Sequence, residues 1–218
     1  MTTAGITKLY DRFADHLESR KEFVAPLQLT GRLEEYLVRE FIGYAYRASG
    51  HKLLGLSNLG KKKEPRIDIA FIQGKAPESP TIVGLVEAKY LRNAHRYEET
   101  DSARDEVWTT LKDFQLQVHA FEGAKQRHAG IPVHLSSRNH EVYGLVFVSY
   151  TKPIGQYRDE NKRKFHSFVL RKAREADFRY YDLKTPRLDS VYENEPVEAL
   201  GTEYKVSLRI GLWRAGHP

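Results

Sequence analysis

An aspartate in one apolar run and a Glu-x-Lys triplet in the next are the residues of this chain whose types and spacing could do chemistry. They are Asp68 in PRIDIAFIQ and Glu87, Ala88 and Lys89 in TIVGLVEAKY. Hard divalent cations such as Mg²⁺ take oxygen ligands and keep several waters, so two carboxylates and a phosphate oxygen suit them better than imidazole or thiolate would. A compact ammonium beside such a pair could face a phosphate or orient an attacking water. The set is therefore a candidate metal-dependent phosphodiesterase site. Charged side chains are almost never buried unless they are paired or bound to a metal, so three of them near the centres of apolar runs call for a reason.

The elements that must position these groups read as strands. Ile67, Ile69, Ala70, Phe71 and Ile72 surround the aspartate, and Ile82, Val83, Gly84, Leu85 and Val86 lead into the triplet; both runs are β-branched and aromatic in character. A turn from Gly74 to Pro80 joins them. Side chains alternate along a strand, so Glu87 and Lys89 project to the same side, roughly 7 Å apart, while Ala88 points the other way. A helix is predicted from about Gly31 to Ser49, with Thr30 as N-cap and Gly50 as terminator. Its apolar face is Leu33, Leu37, Phe41, Tyr44 and Ala45, with Glu34 falling inside that face and Glu35 outside. A carboxylate at Glu34 is also what the helix macrodipole favours in a first turn. A second helix, about Asp101 to Gly123, carries Val107, Leu111, Phe114, Val118 and Phe121 at helical spacing, with Gln115 and Gln117 on the shoulders of that stripe.

An acidic residue on one strand followed by Glu-x-Lys on its neighbour resembles the signature of the PD-(D/E)XK nucleases, the restriction-endonuclease-like superfamily. Pro65 stands three residues before Asp68, where the nominal motif has the proline adjacent. The resemblance implies an α/β fold with a restriction-endonuclease-like core, ordered helix, three strands, helix, strand, in which a central mixed sheet is flanked by helices. It implies that Asp68, Glu87 and the carbonyl of Ala88 hold Mg²⁺, with Mn²⁺ able to substitute, and that Lys89 serves the nucleophile and the phosphate. It also implies a glutamate from the first core helix near the metal, here Glu34, and a glutamine on the second, here Gln115. The activity implied is endonucleolytic cleavage of DNA; a binding module of the same fold that does not cut, or a ribonuclease, are the alternatives.

Composition limits the other classes. The chain has 218 residues, 40% of them hydrophobic, enough for a core in one domain. It has no cysteine, which excludes disulfides, thiolate zinc sites and cysteine nucleophiles. The nine histidines show no His-x-His or His-Glu-x-x-His spacing, and no Walker-type loop or Gly-x-Ser-x-Gly elbow is present. No segment reaches the ~18 apolar residues of a membrane span, and the first residues read as neither signal nor anchor, so a cytoplasmic protein is expected. Lys and Arg outnumber Asp and Glu by 35 to 29, giving +6, which favours a polyanionic partner. Lys61, Lys62, Lys63 and Arg66 precede the aspartate strand and are the expected phosphate-backbone contacts, and a second basic cluster runs from Lys162 to Arg174. A homodimer would let two such sites cut two strands.

The remaining segments complete one domain over residues 1–218. An N-terminal amphipathic helix on Leu9, Phe13 and Leu17 reads as an extension, about 5–25, before the core, and HKLLGLSNL reads as the first strand and turn. Gln126 to Asn139 reads as a polar loop and EVYGLVFVSYTK as a strong strand. A C-terminal elaboration, about 155–218, holds a basic helix at 161–176 and strands in FRYYDL and KVSLRIGLW, with ENEP as a loop between those strands.

Overall fold

A computed structural model describes residues 4–30, 32–59, 67–74, 80–93, 127–128, 131–132, 134–135, 141–175, 182–183 and 188–216. Three helices open the chain: α1 (Ala4–Glu18), α2 (Lys21–Leu27) and α3 (Leu33–Ala48). In α3, Leu33, Leu37, Phe41 and Ala45 recur every four residues and are all fully buried, the one-sided stripe that an α-helix makes of that spacing. Gly50 ends the helix at φ +63°, where a residue without Cβ is unstrained. Arg32, not Thr30, occupies the N-cap, and its side chain makes no capping hydrogen bond. The Thr30 hydroxyl instead donates to the Leu27 carbonyl at 2.8 Å and accepts the Arg32 N–H at 3.2 Å, so it closes α2 and leads into α3.

The strands are β1 (Leu54–Leu59), β2 (Ile67–Gln73), β3 (Thr81–Asn93), the two-residue β4 (Arg127–His128), β5 (Ile131–Pro132) and β6 (His134–Leu135), then β7 (Glu141–Pro153), β8 (Asp182–Leu183), β9 (Leu188–Ala199) and β10 (Thr202–Gly216). The main sheet is mixed and runs β1-β2-β3-β7-β10-β8, with β6 also on β3 and β9 also on β10. β1, β2 and β3 pair antiparallel, β3 and β7 parallel, and β7 and β10 antiparallel. The expected polar loop 126–139 thus contains β4, β5 and β6, rungs too short to leave a periodic signal. The expected ENEP loop is also overturned: Glu193 to Pro196 lie within β9, where the register on β10 shifts and Asn194 adopts φ +56°. A bulge tolerates the polar, proline-bearing sequence that reads as a turn. The reversal comes later, at Leu200 and Gly201, with φ +52° and +72°. Two consecutive positive φ angles in a two-residue loop make a type I′ hairpin.

Alternation puts a core on each face. On one, Ile69, Phe71, Val86, Ala88, Tyr143, Leu145, Phe147, Leu208 and Ile210 pack beneath residues of α1, α2 and α3. Phe41 stands at its centre with ring centroids 4.9 Å from Phe13 and 5.9 Å from Phe71, a position where truncation to alanine costs about 3–5 kcal/mol. The N-terminal helix is part of this core rather than an extension before it, since Leu9, Tyr10, Phe13 and Leu17 are buried in it. The Tyr10 hydroxyl lies 3.0 Å from both Asp189 Oδ2 and the Ile210 carbonyl. On the other face, Leu91, Val146, Val148 and Tyr150 are covered by Phe165, Phe168 and Val169 of α4 (Asp159–Glu175). Within the basic cluster Lys162 is buried, not solvated; it donates to Glu193 and to Asn194, and Arg209 donates to the same Glu193 carboxylate at 2.7 Å. These charges tie α4 to the irregular stretch of β9. Among the described residues no helix is long and apolar enough to cross a membrane.

Candidate active site

The sheet forks at the acidic residues. The last β2–β3 rung is Ile69 opposite Val86, whereas β3 stays paired with β7 as far as Asn93 opposite Tyr150. Asp68 and Glu87 are the next residues beyond that rung, and they reach across the opening. The Asp68 N–H donates to Glu87 Oε2 at 3.3 Å, and the Ala88 N–H donates to Asp68 Oδ2 at 2.8 Å. Each carboxylate therefore takes a backbone donor from the other strand, in place of the ladder bonds that stop there. Oδ1 of Asp68 accepts from no donor among the described residues. In an extended strand the N–H and C=O of one residue point to the same side, so the Ala88 carbonyl faces the Asp68 edge as its N–H does.

Glu87 and Lys89 project from one face of β3. Val86 and Ala88 belong to the core beneath α1 to α3, while Leu91 is buried under α4, so the pair lies on the α4 side. Lys89 Nζ donates to Glu87 Oε1 at 2.9 Å. Glu87 is only 3% exposed, and burial together with the charge of Asp68 pushes its carboxyl up to about 7, against the pull of Lys89. For Lys89, burial alone would lower the pKa, but attraction to Glu87, then Asp68 and Glu34, outweighs it and holds the ammonium above its ordinary value.

Glu34 reaches this end of the sheet from the first turn of α3. Its surface is exposed rather than on the buried stripe, yet enough protein surrounds the carboxyl that partial desolvation raises its pKa, with Asp68 adding to the rise and Lys89 opposing it. It accepts from no donor among the described residues. The structure thus brings Asp68, Glu87, Ala88 and Lys89 together by hydrogen bonds and adds Glu34 through its field. Gln115, and the basic residues Lys61, Lys62, Lys63 and Arg66, lie outside the described residues. Tyr90, adjacent to the triplet and passed over in the sequence, also feels Glu34, and its hydroxyl is 2.7 Å from Ser149 Oγ. No spacing rule marks a tyrosine beside such a triplet.

The donor set fits a hard divalent ion of the kind that keeps most of its waters. Two carboxylates meet with one ammonium to balance them, and Asp68 presents an oxygen not already engaged. Burial first, then the charge of Asp68, raises Glu87 against the opposing pull of Lys89. Among the described residues no group of three His, Cys, Asp or Glu side chains converges closely enough to cage an ion. Comparison with known proteins returned no matching family, no matching curated protein and no matching solved structure.

Proposed function

We propose that this chain is a metal-dependent endonuclease that hydrolyses phosphodiester bonds of DNA, built on a restriction-endonuclease-like core. The observation that carries the reading is the crossed pairing at the fork, which sets Asp68, Glu87 and Lys89 together at the end of two adjacent strands. The order α3, β1, β2, β3, β7, with β3 and β7 parallel, supports it as well. Asp68, Glu87 and the Ala88 carbonyl would hold Mg²⁺ or Mn²⁺, with Glu34 at the margin. When bound, the ion supplies Lewis-acid stabilisation of the phosphate and activation of water. In the metal-free protein, against burial, Glu87, Asp68 and Glu34 raise the Lys89 pKa, which favours a part in donating hydrogen bonds and neutralising charge on the phosphate. The +6 charge of the chain favours a polyanionic substrate.

A second reading, a module of this fold that holds nucleic acid without cutting it, is favoured by one observation. Both Glu87 oxygens are already satisfied, by the Asp68 N–H and by Lys89. Duplex, single-stranded and branched DNA, and RNA, each incubated with Mg²⁺, Mn²⁺ or EDTA, separate the two. The nuclease reading expects Mg²⁺-dependent cuts that Asp68→Asn and Lys89→Ala each reduce by about 10³-fold or more, with binding in Ca²⁺ retained. A wild-type protein that binds DNA and never cuts it makes the second reading the right one, and cleavage of RNA alone makes the substrate RNA.

A further inference from the structure

Near the end of β7 and the start of β10 the sheet makes a pairing that it disfavours on its own. Lys152 stands directly opposite Lys205 in the antiparallel register. Alternation sends both to the α4 side: Val146, Val148 and Tyr150 of β7 belong to the core under α4, and Ser207, two residues along β10 from Lys205, meets the Tyr157 hydroxyl. The Lys205 ammonium accordingly lies 5.8 Å from the centre of the Tyr157 ring. Side chains paired in this way have Cβ atoms about 5 Å apart, and like charges there are destabilising.

Both lysines are half-buried, and neither has a carboxylate partner among the described residues. Burial lowers the Lys152 pKa, and no described anion opposes it. The carboxylates of the adjoining elements are engaged elsewhere. Lys162 takes Asp159 at 3.1 Å and also Glu193, Arg209 shares Glu193, Lys164 takes Glu160 at 2.7 Å, and Lys21 takes Glu195. Glu198 and Glu203, opposite each other in the exposed hairpin, make no ion pair with either lysine. The two ammoniums therefore stand as uncompensated positive charge, and an anion from outside would relieve their repulsion.

The surroundings indicate the kind of anion. Arg163, Lys164, Ser167 and Arg171 form the exposed face of α4, and exposed Arg158 precedes the helix. The apolar face of α4, with Phe165, Phe168 and Val169, is turned to the sheet. A helix that lies on lipid presents apolar residues outward, whereas α4 presents cations. These charges are spread over an open surface, which suits a row of phosphates better than one small anion. The Tyr157 ring, fixed through its hydroxyl by Asn194 and Ser207, has the Lys162 ammonium 5.9 Å from its centre as well as that of Lys205, and such contacts restrain the cations before a partner arrives.

We infer that this surface holds the phosphate backbone of a nucleic acid, with one phosphate between Lys152 and Lys205 and its neighbours along the exposed face of α4. Glu87 and Lys89 project from the same side of the sheet. The inference rests on the reading of a nucleic-acid partner, which the cutting and non-cutting forms of that reading share, and not on cleavage.

Fluorescence anisotropy of a short labelled DNA duplex, titrated with the full chain in EDTA between about 50 and 200 mM salt, tests it. Lys152→Met and Lys205→Met should each weaken binding about threefold to tenfold and lower the slope of log affinity against log salt by about one. Arginine at either position should keep binding within about twofold. Lys8→Met removes the same charge from the exposed surface of α1, in the opposite layer, and should also stay within about twofold. Both methionine variants should unfold no earlier than the wild type on heating, since a repulsion has been removed. Absence of binding, equal losses in Lys8→Met, unchanged affinity and slope in the folded Lys152→Met and Lys205→Met proteins, or binding to anionic lipid vesicles in place of the duplex overturns the inference. Duplex cut with Mg²⁺ while the methionine variants bind as the wild type does removes this inference and leaves the nuclease reading. Binding that depends on the two lysines in a protein that never cuts does the reverse.

Discussion

Lys89 is the residue on which the balance of the fork depends, because its ammonium donates to Glu87 and opposes the rise that burial and Asp68 impose on that carboxyl. Burial and Asp68 raise Glu87 to about 7, and Lys89 opposes both. Replacing Lys89 by methionine keeps most of the volume and removes the charge, so the Glu87 carboxyl should titrate higher still. Carboxyl-carbon NMR of the metal-free protein measures this directly: the expected midpoint is about 7 in the wild type and above that in Lys89→Met. A Glu87 that titrates in the ordinary carboxylate range in both proteins would mean that the fork is more open to water than its geometry indicates.

At the scale of elements, the hairpin joining β9 to β10 carries a strain that the sequence does not advertise. Leu200 is fully exposed at φ +52°, a region where a branched side chain is disfavoured, beside Gly201 at φ +72°. Asparagine is the residue that a type I′ turn prefers before glycine. Leu200→Asn should therefore raise stability by about 0.5–1 kcal/mol, seen as a higher denaturant midpoint with an unchanged slope. No change, or a loss, would show that Leu200 contributes through contacts rather than exposing a cost.

Across the whole molecule two buried groups oppose each other with pH. His166, on α4, is 4% exposed with neither ring nitrogen hydrogen-bonded among the described residues, and burial first, then the positive charges of Arg209 and Lys162 against Glu193, lowers its pKa to about 4. Below its unfolded pKa near 6.5 the unfolded chain binds the proton more readily, so the stability that neutral His166 confers is lost as pH falls from 6.5 through 4. Glu87 works the other way: its pKa of about 7 lies above the unfolded value of 4.5, so stability is greatest at low pH and falls as pH rises from 4.5 through 7. In the wild-type, metal-free protein the two slopes offset each other over the shared window. Glu87→Gln should leave stability rising with pH there, and His166→Leu should leave it falling, each by about 1–3 kcal/mol in denaturant titrations. Parallel profiles in the two variants would sink this account.

The sequence by itself determined the elements whose periodicity is unbroken and whose apolar face is continuous. The stripe of Leu33, Leu37, Phe41 and Ala45, the two strands around Asp68 and Glu87, and the run from Glu141 were legible because local side-chain alternation and core burial point to the same answer. Only the tertiary structure decided what depends on pairing between distant segments. It placed ENEP inside a bulged strand, took the N-terminal helix into the core and hid Lys162 under an ion pair. It also turned Asp68 and Glu87 toward each other across a fork, which alternation along either strand alone does not specify. A period of two fixes which side of its own strand a residue takes; register and the point where a ladder ends fix what that residue meets, and both are properties of partners that sequence neighbours do not reveal.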